Sequence, residues 1–156
     1  MSIDIPTPGD FAELTQHRNG ASVSIYVSAT GNGSHAITHD VDAAQTALRS
    51  ALHDALHELT ESGASAADKS AISSHVETLL GRRLFWATGA RSIAIFITPE
   101  SARAFRLMNR LPFAWSTGDR FDVGPMVRAV TFDYTGYVLA ITEGDVRLMH
   151  LTSDAT

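Results

Sequence analysis

From residue 39 to residue 61 the chain runs without glycine or proline, and apolar side chains recur every three or four positions. Val41, Ala44, Leu48, Leu52, Ala55 and Leu59 form one stripe, widened by Ala51 and Leu56. Such a stripe marks a long helix that buries one face, and its alanine content favours the helix by propensity as well. Gly63 follows as a stop signal. Ser65 and Asp68 then read as the capping box of a second helix that ends near Leu80 and Gly81, with Ile72, Val76, Leu79 and Leu80 on its apolar side. Two helices with so short a connection predict an antiparallel hairpin, and its apolar face needs a sheet to cover.

The strands for that sheet flank the helices. Ser22–Ser28 alternates, with Val23, Ile25 and Val27 on one face and Ser22, Ser24 and Tyr26 on the other. Arg91–Thr98 is a nearly continuous apolar run, as in a central strand. A strand, two helices and a strand in that order predict a parallel relation between Val23–Val27 and Ile93–Ile97. After the turn at Pro99–Ser101, Ala102–Leu107 returns as a hairpin strand with Arg103 and Phe105 on one face and Arg106 opposite. Leu111–Trp115 reads as a short edge segment weakened by Pro112. Phe121–Val130 contains a short helix, with Asp122 near its cap and Pro125 in its first turn. Tyr137–Thr142 reads as a second central strand, and Val146–Leu151 returns beside it. At the amino end Asp10 is placed to cap a helix over Phe11–His17, with Glu13 at its third position. The expected class is α/β, a two- or three-layer sandwich in which a mixed sheet of about four to six strands packs on the helical hairpin. Residues 1–20 are expected to form an arm and short helix, 21–142 the α/β core, and 143–156 a closing strand and the start of a further domain.

Composition limits the chemistry. There is no cysteine among the 156 residues, so disulfides, thiolate nucleophiles and cysteine-ligated metal centres are all excluded. The same lack fits a reducing, cytoplasmic compartment. The amino terminus has neither a basic start nor an apolar run of the kind that directs secretion, and no stretch is long and apolar enough to span a bilayer, so no membrane partner is expected. Net charge is −5, which does not attract nucleic acid in bulk. Most of the arginine lies in the second half, however, and arginine outnumbers the single lysine, Lys69. Guanidinium forks suit phosphates and carboxylates.

Several groups of residues are candidates for sites. His53 and His57 stand one helical turn apart, a spacing that lets two imidazoles share a metal. Asp54 occupies the place where a zincin helix has glutamate, and Glu61 is the nearest further ligand. Solvated helix histidines are the alternative, and His35 with His39 presents the same choice. Gly31-Asn32-Gly33 follows a strand and precedes a helix, where backbone N–H groups around Asn32 can meet an anion. The stretch lacks the full dinucleotide fingerprint and the lysine–serine of a nucleotide loop, so a plain loop is the alternative. Arg82, Arg83, Arg91, Arg103, Arg106 and Arg110 can form basic stripes, with Trp86, Phe105 and Trp115 as stacking partners for RNA. Against this stands a reading of solvated arginines around core aromatics. Asp119 and Asp122 are either cleft carboxylates or turn and cap residues. No serine sits in a nucleophile elbow, no catalytic residue is assigned, and no cofactor is implied.

The order of these motifs resembles a known family. Ser116–Leu151 is similar to the end of the amino-terminal domain of the archaeal and eukaryotic class I peptide-chain release factors, running into their middle domain. The residues that carry this are Asp119-Arg120-Phe121, the helix around Met126–Val130, Tyr137-Val138-Leu139-Ala140-Ile141, the turn at Glu143–Asp145, and Val146-Arg147-Leu148. Ser22–Val27 resembles that domain's first strand and Arg91–Thr98 a later central one. The phrase Leu14-Thr15-Gln16-His17-Arg18 before Val23–Val27 is similar to bacterial proteins related to those factors. The resemblance implies a release-factor amino-domain sandwich and association with the ribosome. It carries no codon-reading residues over, because the chain has neither the Asn-Ile-Lys-Ser loop nor the tyrosine–cysteine motif, and the Gly-Gly-Gln motif of peptidyl hydrolysis is also missing. Three functions are therefore weighed: a non-catalytic docking domain that meets the ribosome, RNA or a protein partner; a metal- or histidine-dependent hydrolase; and a structural domain that associates with itself.

Overall fold

The computed structural model describes residues 6–29, 41–87, 90–131, 136–142 and 145–151. In chain order its elements are α1 (Pro8–Gln16), β1 (Ser22–Ser28), α2 (Val41–Glu61), α3 (Ala66–Leu80), α4 (Arg83–Trp86), β2 (Ser92–Ile97), β3 (Ala102–Leu107), β4 (Ala114–Gly118), α5 (Gly124–Thr131), β5 (Gly136–Thr142) and β6 (Asp145–Leu151). The class is α/β. Four strands form one sheet in the order β3-β2-β1-β4, and β5 and β6 form a separate two-stranded sheet.

Every strand pair among the described residues is antiparallel, which corrects the mixed sheet and the parallel β1–β2 relation expected from the sequence. Val23 pairs with Ile97 and Ser28 with Ser92, while Ser22 pairs with Gly118 and Tyr26 with Ala114. The reason is one of parity. Two helical passes, one out and one back, return the chain to the end of the sheet where β1 left it, so β2 must run the opposite way. A parallel neighbour needs an odd number of passes.

The two faces of β1 feed two separate cores. Val23, Ile25 and Val27 pack with Ile93, Ile95 and Ile97 against Leu48, Leu59, Ile72 and Val76 of the helical hairpin. The stripe read from sequence is the buried face of α2: Ala44, Leu48, Ala51, Leu52, Ala55 and Leu59 are all buried. On the opposite face Tyr26, Phe96 and Phe105 pack with Leu14 of α1 and Met126 of α5. The rings of Tyr26 and Phe96 meet edge to face at 6.0 Å, a favoured aromatic geometry. The sandwich therefore has three layers. Tyr26 fills its place because its hydroxyl donates to the Asp122 carbonyl at 2.6 Å. Burial pushes the pKa of that phenol up, so it stays a neutral donor.

Three boundaries differ from expectation. Thr7, not Asp10, caps α1: the Thr7 hydroxyl accepts from the Asp10 N–H, and the Asp10 carboxylate accepts from the Thr7 N–H at 2.7 Å. Pro8 suits the first helical position, where no N–H is needed, and this moves the start three residues upstream. β4 begins at Ala114, beyond Pro112, instead of spanning it. β5 is not central: its only strand partner among the described residues is β6, and the expected boundary at residue 142 falls between the two. In this ribbon Leu139 pairs with Leu148 and Ile141 with Val146, so these four share a face, and they are 55%, 66%, 69% and 65% exposed.

Leu48→Ala should lower unfolding free energy by about 3 kcal/mol, read as a lower urea midpoint with unchanged slope. Asp10 has its pKa lowered from the usual 3.8, first by the Thr7 hydroxyl, then by the Thr7 N–H and by Arg103. The stability it contributes is complete above 3.8 and is lost as pH falls through the lowered value. Asp10→Asn should therefore flatten the acid limb of the stability–pH curve and leave its slope near neutrality unchanged.

Candidate binding groove

Trp86 positions the site. It is 4% exposed, and its indole N–H donates to the Leu79 carbonyl at 2.9 Å. The bond fastens the single turn of α4 against the end of α3, where the Gly81 N–H closes on Glu77 and Leu79 carbonyls. With Trp86 held inward and the Phe85 ring edge-on to it at 5.6 Å, the preceding residues turn outward. Arg82 and Arg83 are exposed, and Leu84 is 87% exposed.

β3 supplies the other wall. Its alternation places Arg106 on the face toward the helical hairpin, where its guanidinium lies over the Phe85 ring at 5.3 Å from the centroid. Arg103 lies on the opposite face, over the Phe105 ring at 5.3 Å. It forms ion pairs with Asp10 and, at 2.7 Å, with Glu13 of α1. Its charge is thereby engaged in holding α1 to the sheet.

Between these walls lies an open groove of about 910 Å³, lined by residues that include Arg82, Arg83, Arg103, Arg106, His75 and Leu84 and, among the described residues, no carboxylate. His75 is half-buried, its Nε2 within 3.2 Å of the Pro99 carbonyl at the β2–β3 turn. Among the described residues no ion pair engages Arg82 or Arg83. The groove can hold carboxylates or phosphates by bidentate hydrogen bonds.

Of the arginines singled out from sequence, Arg82, Arg83, Arg103 and Arg106 line this groove, whereas Arg91 and Arg110, both exposed, do not. Asn32, with His35 and His39, lies outside the described residues. The aromatics are not available for stacking as expected. Trp86 and Phe105 are buried, and Trp115 packs half-buried against the hairpin core. His53 and His57 stand on the outer face of α2, both exposed; His57 is 4.0 Å from Glu61, one turn on, with both side chains open to solvent. Among the described residues no three histidine or acidic side chains gather as a metal site would need. Asp122 is a turn residue: its Oδ1 accepts from the Gly124 N–H at 3.0 Å, and its own N–H donates to Ser24 Oγ. Asp119 is exposed beside Arg120. The sequence reading passed over His75 and Leu84. Leu84 carried a faint signal, an apolar residue between two arginines and the Phe-Trp pair.

No family model and no curated protein matches the chain. Among solved structures it is similar to one described as "Archaeal protein", at 13% identity and a TM-score of 0.49 over 91% of this chain. The chain spans 43% of that protein's length.

The solvated setting of His53 and His57 predicts that micromolar zinc leaves the melting temperature unchanged. His53→Ala/His57→Ala should shift stability by no more than about 0.5 kcal/mol per site. A zinc-dependent rise in melting temperature that vanishes in the double variant would contradict this.

Proposed function

We propose that this chain is a non-catalytic docking domain of a cytoplasmic protein related to the class I release factors, and that it brings that protein to an anionic partner on the ribosome. The observation that carries this reading is the exposed pair Arg82 and Arg83, which no ion pair engages among the described residues, set beside Arg106 in a groove that no described carboxylate lines. The order of strand and helix motifs supports the family, and the lack of cysteine supports the compartment. Among the described residues no helix is long and apolar enough to cross a membrane. Docking through arginines is salt-sensitive, so the chain should sediment with ribosomes at low salt and less at physiological salt. Arg82→Glu/Arg83→Glu should leave it in the supernatant at both. Wild-type protein that stays out of the ribosomal pellet even at low salt would overturn the reading.

The separate ribbon favours a second reading, association with another copy of the chain. Its face of Leu139, Leu148, Ile141 and Val146 is apolar and open, and such faces mark contact surfaces. Light scattering should then report a dimer that Ile141→Lys converts to monomer. A wild-type monomer at high protein concentration would remove this reading.

A further inference from the structure

We infer that the anionic partner of the groove is an acidic segment of protein that adds to β3 as a further strand. This rests on the docking role proposed above and specifies its ligand. β3 is an edge of the four-stranded sheet. Its hydrogen-bonding phase follows from the turn that begins it, where the Thr98 N–H donates to the Ser101 carbonyl at 2.8 Å. Bonded pairs in an antiparallel ladder recur every second residue. From Thr98/Ser101 the next are Phe96/Arg103, Ala94/Phe105 and Ser92/Leu107. Arg103, Phe105 and Leu107 thus spend their backbone groups on β2, and those of Ala102 and Ala104 point out of the sheet. No other backbone bond reaches Ala102 or Ala104 among the described residues. Both alanines border the groove.

An edge of this kind is a template for strand addition. The side chains of an added strand alternate between faces, so every second residue would meet Arg82 and Arg83 on the helical side. Carboxylates are the complement of those guanidinium groups. Single-stranded RNA offers the same charge but draws much of its affinity from bases stacked on open aromatic faces. Here Trp86 and Phe105 are buried and Arg106 covers Phe85.

The test uses the whole chain and fluorescence anisotropy. The probes are a labelled alternating glutamate–valine peptide, its lysine–valine counterpart and a uridine-rich RNA oligonucleotide. The glutamate peptide should bind and the lysine peptide should not. Arg82→Glu/Arg83→Glu should weaken binding about tenfold or more. N-methylation of one alternate set of peptide residues should abolish binding, while methylation of the other set preserves it, because only one set turns its N–H toward β3. Peptide binding that is indifferent to methylation of either set would overturn strand addition. So would binding of the RNA alone, although loss of that RNA in the double variant would leave the docking groove standing. If neither anion binds, both the inference and the docking role fall.

Discussion

The ladder around β1 is the constraint from which the rest of the structure follows. β1 is paired along both edges, by β2 and β4, and its residues from Ser22 to Val27 are buried. A strand enclosed on four sides must satisfy its backbone through its neighbours and find apolar cover for each face. Val23, Ile25 and Val27 are met by the helical hairpin. Tyr26 is met by α1, α5 and the phenylalanines of β2 and β3, and Ser24 and Tyr26 together bind both backbone groups of Asp122. The loop that precedes α5 is therefore fixed from within the sheet, and the Asp122 carboxylate, exposed, accepts from the Gly124 N–H in the same turn.

The groove follows from the same arrangement at the far edge. β2 separates β3 from β1, so β3 keeps one edge without a strand partner among the described residues. The anchoring of Trp86 beneath the end of α3 brings Arg82 and Arg83 beside that edge. Arg103 and Arg106 sit on opposite faces of β3 and divide the work: one braces α1 through Asp10 and Glu13, and the other caps Phe85. Arg82 and Arg83 remain exposed, with no ion pair among the described residues.

Much of this was legible in the sequence, because burial on helices and strands leaves a periodic trace. The stripe on α2, the four apolar residues of α3 and the split of Arg103 and Phe105 from Arg106 on β3 can each be read from spacing alone. Strand direction could not, since apolar periodicity is the same for a parallel and an antiparallel neighbour, and only the count of passes decides. The place of β5 was hidden for a related reason. Tyr137–Thr142 is as apolar as a central strand, but centrality depends on which partners reach it. The cap of α1 was displaced because Asp10 suits both the cap and the third helical position, and Pro8 settles the choice. For the site, composition pointed to the arginines but could not rank them. Arg91 and Arg110 have the same chemistry as Arg82 and Arg83, and only the fold sorts those beside an open edge from those that are not.

The order in which these strands leave a ribosome sets a problem of timing. β1 is complete at Ser28, yet its farther partner β4 ends at Gly118. At about 5–20 residues per second, synthesis of the intervening chain takes on the order of 5–20 s. For most of that interval, until β2 is complete at Ile97, a strand suited to burial on every side has nothing to pair with, the condition in which strands find partners on other chains. The segment emerging next is the α2–α3 hairpin, whose contacts are local and form far faster than sheet pairing. Its apolar face can shelter Val23, Ile25 and Val27 before the sheet exists, so the helical layer would act during synthesis as a temporary cover for the strand it later packs against.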